Sequence, residues 1–106
     1  MSASETTLVS DIEVTNRAGI HTRVALMIFK KSEHFSAFAS ITNKNTGHTA
    51  DCRSVLELLS LGAACGDKIV LSVIGSDAEM LQKELLTLFE CNFYEDEAEA
   101  EETKSP

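Results

Sequence analysis

The residues in this chain best placed to do chemistry are Gly19-Ile20-His21-Thr22-Arg23. They lie between an extended segment and an apolar pattern at helical spacing, which puts the histidine at a helix start. Backbone N–H groups there have no partner inside the helix, and the aligned peptide dipoles add a partial positive charge. An anion set against them is stabilised by both effects. A neutral imidazole keeps a free lone pair on one ring nitrogen, and that nitrogen can carry a phosphoryl group. The N–H groups of Thr22 and Arg23 would receive its oxygens, and the Arg23 guanidinium would add a planar fork of donors. Gly19 lets the loop turn with no Cβ in the way. A histidine beside a helix start is also a common solvated residue, so the pentapeptide alone leaves both readings open.

Other chemistry is thinly represented. Cys52, Cys65 and Cys91 are odd in number and far apart, and none forms a C-x-x-C pair. His21, His34 and His48 do not stand at metal-ligand spacing with them. Reduced packing thiols are expected, with no disulfide framework, metal or cofactor.

The elements that must position the pentapeptide follow from periodicity. Residues 8–14 are β-branched enough for a first strand, broken at Asn16-Arg17-Ala18-Gly19. From Thr22 a helix buries Ala25, Ile28 and Phe29, and Lys30 and Lys31 suit the negative end of its dipole. Phe35, Ala37, Ala39 and Ile41 share one side of a second strand, residues 43–47 turn, and residues 48–52 return. Residues 53–61 form a short helix, apolar almost all round, that stops at Gly62. Such a helix cannot bury every side in a small domain, so part of it should face a partner. Residues 68–74 make the strongest strand, and Ser76-Asp77-Ala78-Glu79 reads as a capping box for a last helix to Glu90 with a stripe of Ala78, Leu81, Leu85 and Leu88. The order β-α-β-β-α-β-α suits an α+β open-faced two-layer sandwich, an antiparallel four-stranded sheet with three helices on one face.

Composition bounds the function. The 106 residues are 43% apolar and 25% charged, the balance of one soluble domain. No apolar run approaches the ~18 residues of a membrane span, and residues 1–5 lack the basic start and apolar stretch of a signal peptide, so a cytoplasmic protein is expected. The net charge of −8 argues against wrapping nucleic acid or lying on an anionic membrane. Residues 95–106 carry −5 of it and the rest −3, while Arg17, Arg23, Lys30 and Lys31 make the surroundings of His21 basic. The expected organisation is a flexible N-terminus at 1–7, a domain at 8–91 and an acidic, disordered tail at 92–106.

Three segments in order resemble one family. Asn16 to Ala25 (N-R-A-G-I-H-T-R-V-A) is similar to the active-site segment of HPr, the histidine phosphocarrier of the bacterial phosphoenolpyruvate-dependent phosphotransferase system. Arg53 to Gly62 (R-S-V-L-E-L-L-S-L-G) resembles that family's second signature, and Gly66-Asp67-Lys68-Ile69-Val70-Leu71 with Gly75-Ser76-Asp77 continues in register. The resemblance covers about residues 9–90 and implies the same open-faced sandwich. It implies a relay in which His21, aided by Arg23, takes a phosphoryl group from phosphorylated enzyme I and passes it to an enzyme IIA in sugar uptake. Ser54 would match the serine that an HPr kinase phosphorylates. Val55, Leu56 and Leu59 would match the apolar docking patch, with Lys30 facing an acidic rim on enzyme I. Val24 stands where the family often has proline, and Glu57 where glycine is common. The protein would be a monomeric phosphoryl-transfer intermediate rather than an enzyme turning over a free substrate. The alternative is a regulatory effector in carbon catabolite or nitrogen-related control, acting by protein binding with Ser54 as its working site.

Overall fold

A computed structural model describes residues 6–95. Its elements run β1 (Thr6–Glu13), α1 (Thr22–Ser32), β2 (Phe38–Asn43), β3 (Thr49–Asp51), α2 (Val55–Ser60), β4 (Lys68–Gly75) and α3 (Ala78–Glu90), followed by a short turn at Asn92–Tyr94. The four strands form one antiparallel sheet in the order β1-β4-β2-β3. The two longest strands therefore pair directly, with Glu13 opposite Lys68 and Val9 opposite Ser72.

Alternation along the strands decides which face is covered. Ala39 and Ile41 on β2 and Ile69, Leu71 and Val73 on β4 point inward and are buried. Their neighbours Phe38 and Ile74, paired across β2 and β4, remain exposed with Val9 on the open face. The helices cover the inner face, α1 with Val24, Ala25 and Ile28, and α3 with the expected Ala78, Leu81, Leu85 and Leu88. Val24, near the start of α1, is fully buried, so this position serves the core through its side chain.

Two local expectations are corrected. Ser76 to Glu79 is not a capping box: Asp77 is the N-cap of α3 and makes no side-chain cap bond. Its carboxylate instead accepts the N–H groups of Ser36 at 2.9 Å and Ala37 at 2.7 Å, tying the start of α3 to the loop before β2. Those two donors hold the Asp77 carboxyl below its ordinary range, the Ser36 bond contributing most and loss of water opposing it. The second correction is at the C-terminal end, where ordered packing continues past residue 91. Phe93 is fully buried and meets Phe89 edge-on with ring centroids 4.9 Å apart. Asn92, Phe93 and Tyr94 all have positive φ, at 54°, 53° and 61°. Asparagine tolerates that region, whereas Phe and Tyr each give up about 1–2 kcal/mol to enter it. Burial of Phe93, about 2 kcal/mol, and the ring pair, about 1 kcal/mol, offset much of that strain. Of the N-terminus expected to be flexible at 1–7, Thr6 and Thr7 pair with Gly75 and Ile74 in β1, while residues 1–5 and the acidic residues 96–106 lie outside the described residues.

No described helix is long and apolar enough to cross a membrane, and no described group of three or more His, Cys, Asp or Glu could hold a metal ion. The three cysteines are free thiols, and burial with the nearby Asp51 charge pushes the Cys52 thiol up to about 12 against a lowering bond to Ser32.

Candidate functional site

The loop that delivers His21 is built by its own backbone. The Gly19 N–H donates to the Asn16 carbonyl at 3.1 Å, closing a turn, and the Asn16 side-chain amide donates back to the Gly19 carbonyl at 2.7 Å. The next N–H, of Ile20, donates to the Ala63 carbonyl at 2.9 Å, which fastens the loop to the chain leaving α2. Gly19 has φ +68, and a Cβ there would lie 2.4 Å from the Ala63 oxygen. Glycine is thus required twice, for the backbone conformation and for the close approach.

His21 is the N-cap of α1, in extended conformation, and its side chain makes no cap bond. Its carbonyl accepts the first helical bond from the Ala25 N–H at 2.8 Å. The imidazole therefore takes none of the orphan donors of the first turn, and no acid lies among those residues. Thr22 and Arg23, both exposed, are the first two residues of α1.

A carboxylate that sequence reasoning did not assign completes the site. The turn at Asn92–Tyr94 brings Glu95 back onto the start of α1, where its side chain is almost fully buried. One oxygen, Oε2, accepts from His21 Nε2, and Arg23 Nη1 lies 3.6 Å from it. The other, Oε1, accepts the buried Asn16 amide at 3.0 Å. Asn16 thus bridges Gly19 and Glu95, holding loop and carboxylate in one frame. An asparagine three residues before Gly19 in a strand-breaking segment was a usable signal for Asn16; Glu95 had none, because it stood in an acidic, non-periodic run.

The other expected residues lie on α2 and its N-cap, and toward the end of α1. Ser54 is the N-cap of α2, and its hydroxyl accepts the Glu57 N–H at 3.2 Å, a contact of about 1 kcal/mol. The Glu57 carboxylate accepts the Asp51 N–H at 2.8 Å, so this acid has a structural post beside Ser54. Arg53 donates to the Phe35 carbonyl near the end of α1. On α2, Leu58 is core, Val55 and Leu59 are half-buried, and Leu56 is 78% exposed. Lys30 lies nine residues beyond His21, about 13 Å along the helix axis, and is exposed on a groove with Lys31, His34, Met27, Leu88 and Tyr94.

An open-faced sheet with a histidine at the first turn of its first helix defines a class, the small phosphocarriers. The family model described as the PTS HPr component phosphorylation site matches residues 9–91, and the chain belongs to this HPr family. It is 32% identical over 90 residues to the phosphocarrier protein NPr of Escherichia coli K12, covering 85% of this chain and 99% of that one. It is 29% identical over 79 residues to the phosphocarrier protein HPr of Vibrio cholerae, covering 74% of this chain and 91% of that one. The crystal structure of HPr-C-His from Thermoanaerobacter tengcongensis superposes with a TM-score of 0.75 at 29% identity, over 81% of this chain and 94% of that one. The protein is a phosphotransferase-system phosphocarrier of this family.

Proposed function

We propose that the protein relays phosphoryl groups through His21, taking them from phosphorylated enzyme I and passing them to an enzyme IIA component, as a cytoplasmic monomer without a cofactor. A ring-nitrogen lone pair attacks phosphorus, the bond from phosphorus to the donor breaks, and its electron pair leaves with the donor. Onward transfer runs the same step with His21 imidazole as the leaving group. Arg23 and the N–H groups of Thr22 and Arg23 receive the phosphoryl oxygens, while Leu56, Val55 and Leu59 offer the apolar docking patch and Lys30 a cation beyond it. The single observation that carries the reading is the position of His21 at the uncapped N-terminus of α1, with Arg23 beside it, in a chain of this family.

Incubation with enzyme I, phosphoenolpyruvate and Mg²⁺ tests it. One acid-labile phosphate per chain is expected, absent from His21→Ala. A wild-type protein left unlabelled refutes the relay. An acid-stable phosphate added by a serine kinase would instead support the regulatory reading at Ser54. There a phosphate of about −1.5 to −2 charge would sit at the favourable end of α2 but beside Asp51 and Glu57. A nitrogen-related branch with the same chemistry is the second reading of the relay, favoured by the likeness to an NPr phosphocarrier. Transfer to an enzyme IIA of the sugar type against one of the nitrogen type separates the two.

A further inference from the structure

We propose that Glu95 is a positioning residue for His21: its carboxylate fixes the imidazole tautomer and balances the charge the ring acquires on transfer. The inference rests on the reading of His21 as the phosphoryl acceptor.

The argument starts from the donor and acceptor inventory. An ionised carboxylate only accepts, so an imidazole nitrogen facing it must carry the proton. Oε2 of Glu95 faces Nε2 of His21. In the neutral ring that places the proton on Nε2 and the lone pair on Nδ1. When Nδ1 attacks phosphorus, the Nε2 proton stays, and the ring becomes an imidazolium with phosphorus on Nδ1. The positive charge therefore develops next to Oε2. When the phosphoryl group moves on, the electron pair of the P–N bond returns to Nδ1 and the ring is again neutral with Nε2 protonated. No proton need be gained or lost in either direction. A fixed carboxylate placed where charge appears favours the charged state without reorganising at the moment of reaction.

The carboxylate is held as such a role demands. Its second oxygen is tied to Asn16, whose own amide is also bonded to the loop that sets His21. The side chain is 11% exposed, so water competes little for Nε2. The three positive-φ residues before it form a strained turn kept in place by buried Phe93, and strain of this kind collects at functional sites. Arg23 stays within 3.6 Å of Oε2 yet nearly half exposed, so it can swing to the phosphoryl oxygens while Asn16 keeps the carboxylate in place.

The test compares full-length wild type with Glu95→Ala and Glu95→Gln, with Glu90→Gln as a control that removes an acid from the exposed face of α3. Long-range ¹H–¹⁵N spectra of the histidine rings report the tautomer without any phosphorylation. Initial rates of labelling by phosphorylated enzyme I report the chemistry. Wild type should show His21 protonated at Nε2 and bare at Nδ1. Glu95→Ala should mix the tautomers and slow labelling about tenfold or more, the scale on which orienting partners of histidine act. Glu95→Gln has one acceptor oxygen for two donors, Nε2 and the Asn16 amide, so it should hold the tautomer only in part and recover part of the rate. Wild type labelled, with Glu95→Ala unchanged in tautomer and rate, overturns the proposal alone. Faster labelling of Glu95→Ala also overturns it, making Glu95 a competitor for the phosphoryl site. A wild type that enzyme I never labels overturns the relay and this proposal together.

Discussion

Replacing Gly19 by alanine should damage this protein far more than the same change at Gly62, although both glycines have nearly the same φ, +68 and +60. At Gly62 a Cβ meets nothing within 4 Å, so the cost is the left-handed backbone alone, about 1–2 kcal/mol. At Gly19 the Cβ would lie 2.4 Å from the Ala63 oxygen and 2.9 Å from the Ala64 Cα, both backbone atoms that cannot rotate aside. The strands of chain must separate, which adds an overpacking cost of about 1–3 kcal/mol. The Ile20-to-Ala63 hydrogen bond stretches with them, a further loss of about 1 kcal/mol. The sum is about 3–6 kcal/mol, a large part of the 5–15 kcal/mol typical of a domain. A domain of this size loses about 4–8 °C of Tm per kcal/mol, so Gly19→Ala should fall by at least about 12 °C and Gly62→Ala by about 4–16 °C. Thermal unfolding followed by circular dichroism, with urea titration of both variants, measures the difference. If Gly19→Ala is no less stable than Gly62→Ala, the close approach of the loop to Ala63 is not what fixes the His21 loop.

Three more outcomes are expected. Leu58→Ala should lose about 2–5 kcal/mol as a fully buried side chain is cut back, whereas Leu56→Ala should change stability by less than about 0.5 kcal/mol while slowing phosphoryl transfer from enzyme I, as denaturation and transfer kinetics on the same samples would reveal. The lowered Asp77 carboxyl gives stability that is complete above the unfolded carboxylate value near about pH 4 and is lost as pH falls through the folded value, so Asp77→Asn should be less stable at neutral pH and show a shallower acid decline. A thiol reagent at pH 8 should label exposed Cys65 rapidly and Cys52, whose thiol is pushed up to about 12, only on unfolding; prompt labelling of Cys52 in the native state would contradict its burial.

Most of the architecture was legible in the chain because it rests on local periodicity. The stripe Ala78, Leu81, Leu85, Leu88 is buried as its spacing predicts; of the period-two set, Ala37, Ala39 and Ile41 are buried and Phe35 only half-buried, since β2 begins at Phe38, after both Phe35 and Ala37. The stop at Gly62 and the N-cap at Ser54 are short-range signals of the same kind. Reading failed where a polar group finds its partner far along the sequence. Ser76-Asp77-Ala78-Glu79 has the spacing of a capping box, yet two N–H groups about forty residues earlier hold the Asp77 carboxylate.

The sequence by itself determined the sheet and helix pattern, the family, and the placement of His21 and Arg23 at a helix start. Each depends on residues close together in the chain, where spacing translates directly into geometry. Tertiary structure alone decided what stands against the imidazole. Glu95 lies 74 residues from His21, in a run whose composition marks it only as acidic. It reaches the ring because Phe93 enters the core beside Phe89 and draws the chain through a left-handed turn that Asn92 tolerates but Phe93 and Tyr94 do not favour. The electrostatics of the site are thus set by packing at the far end of the domain.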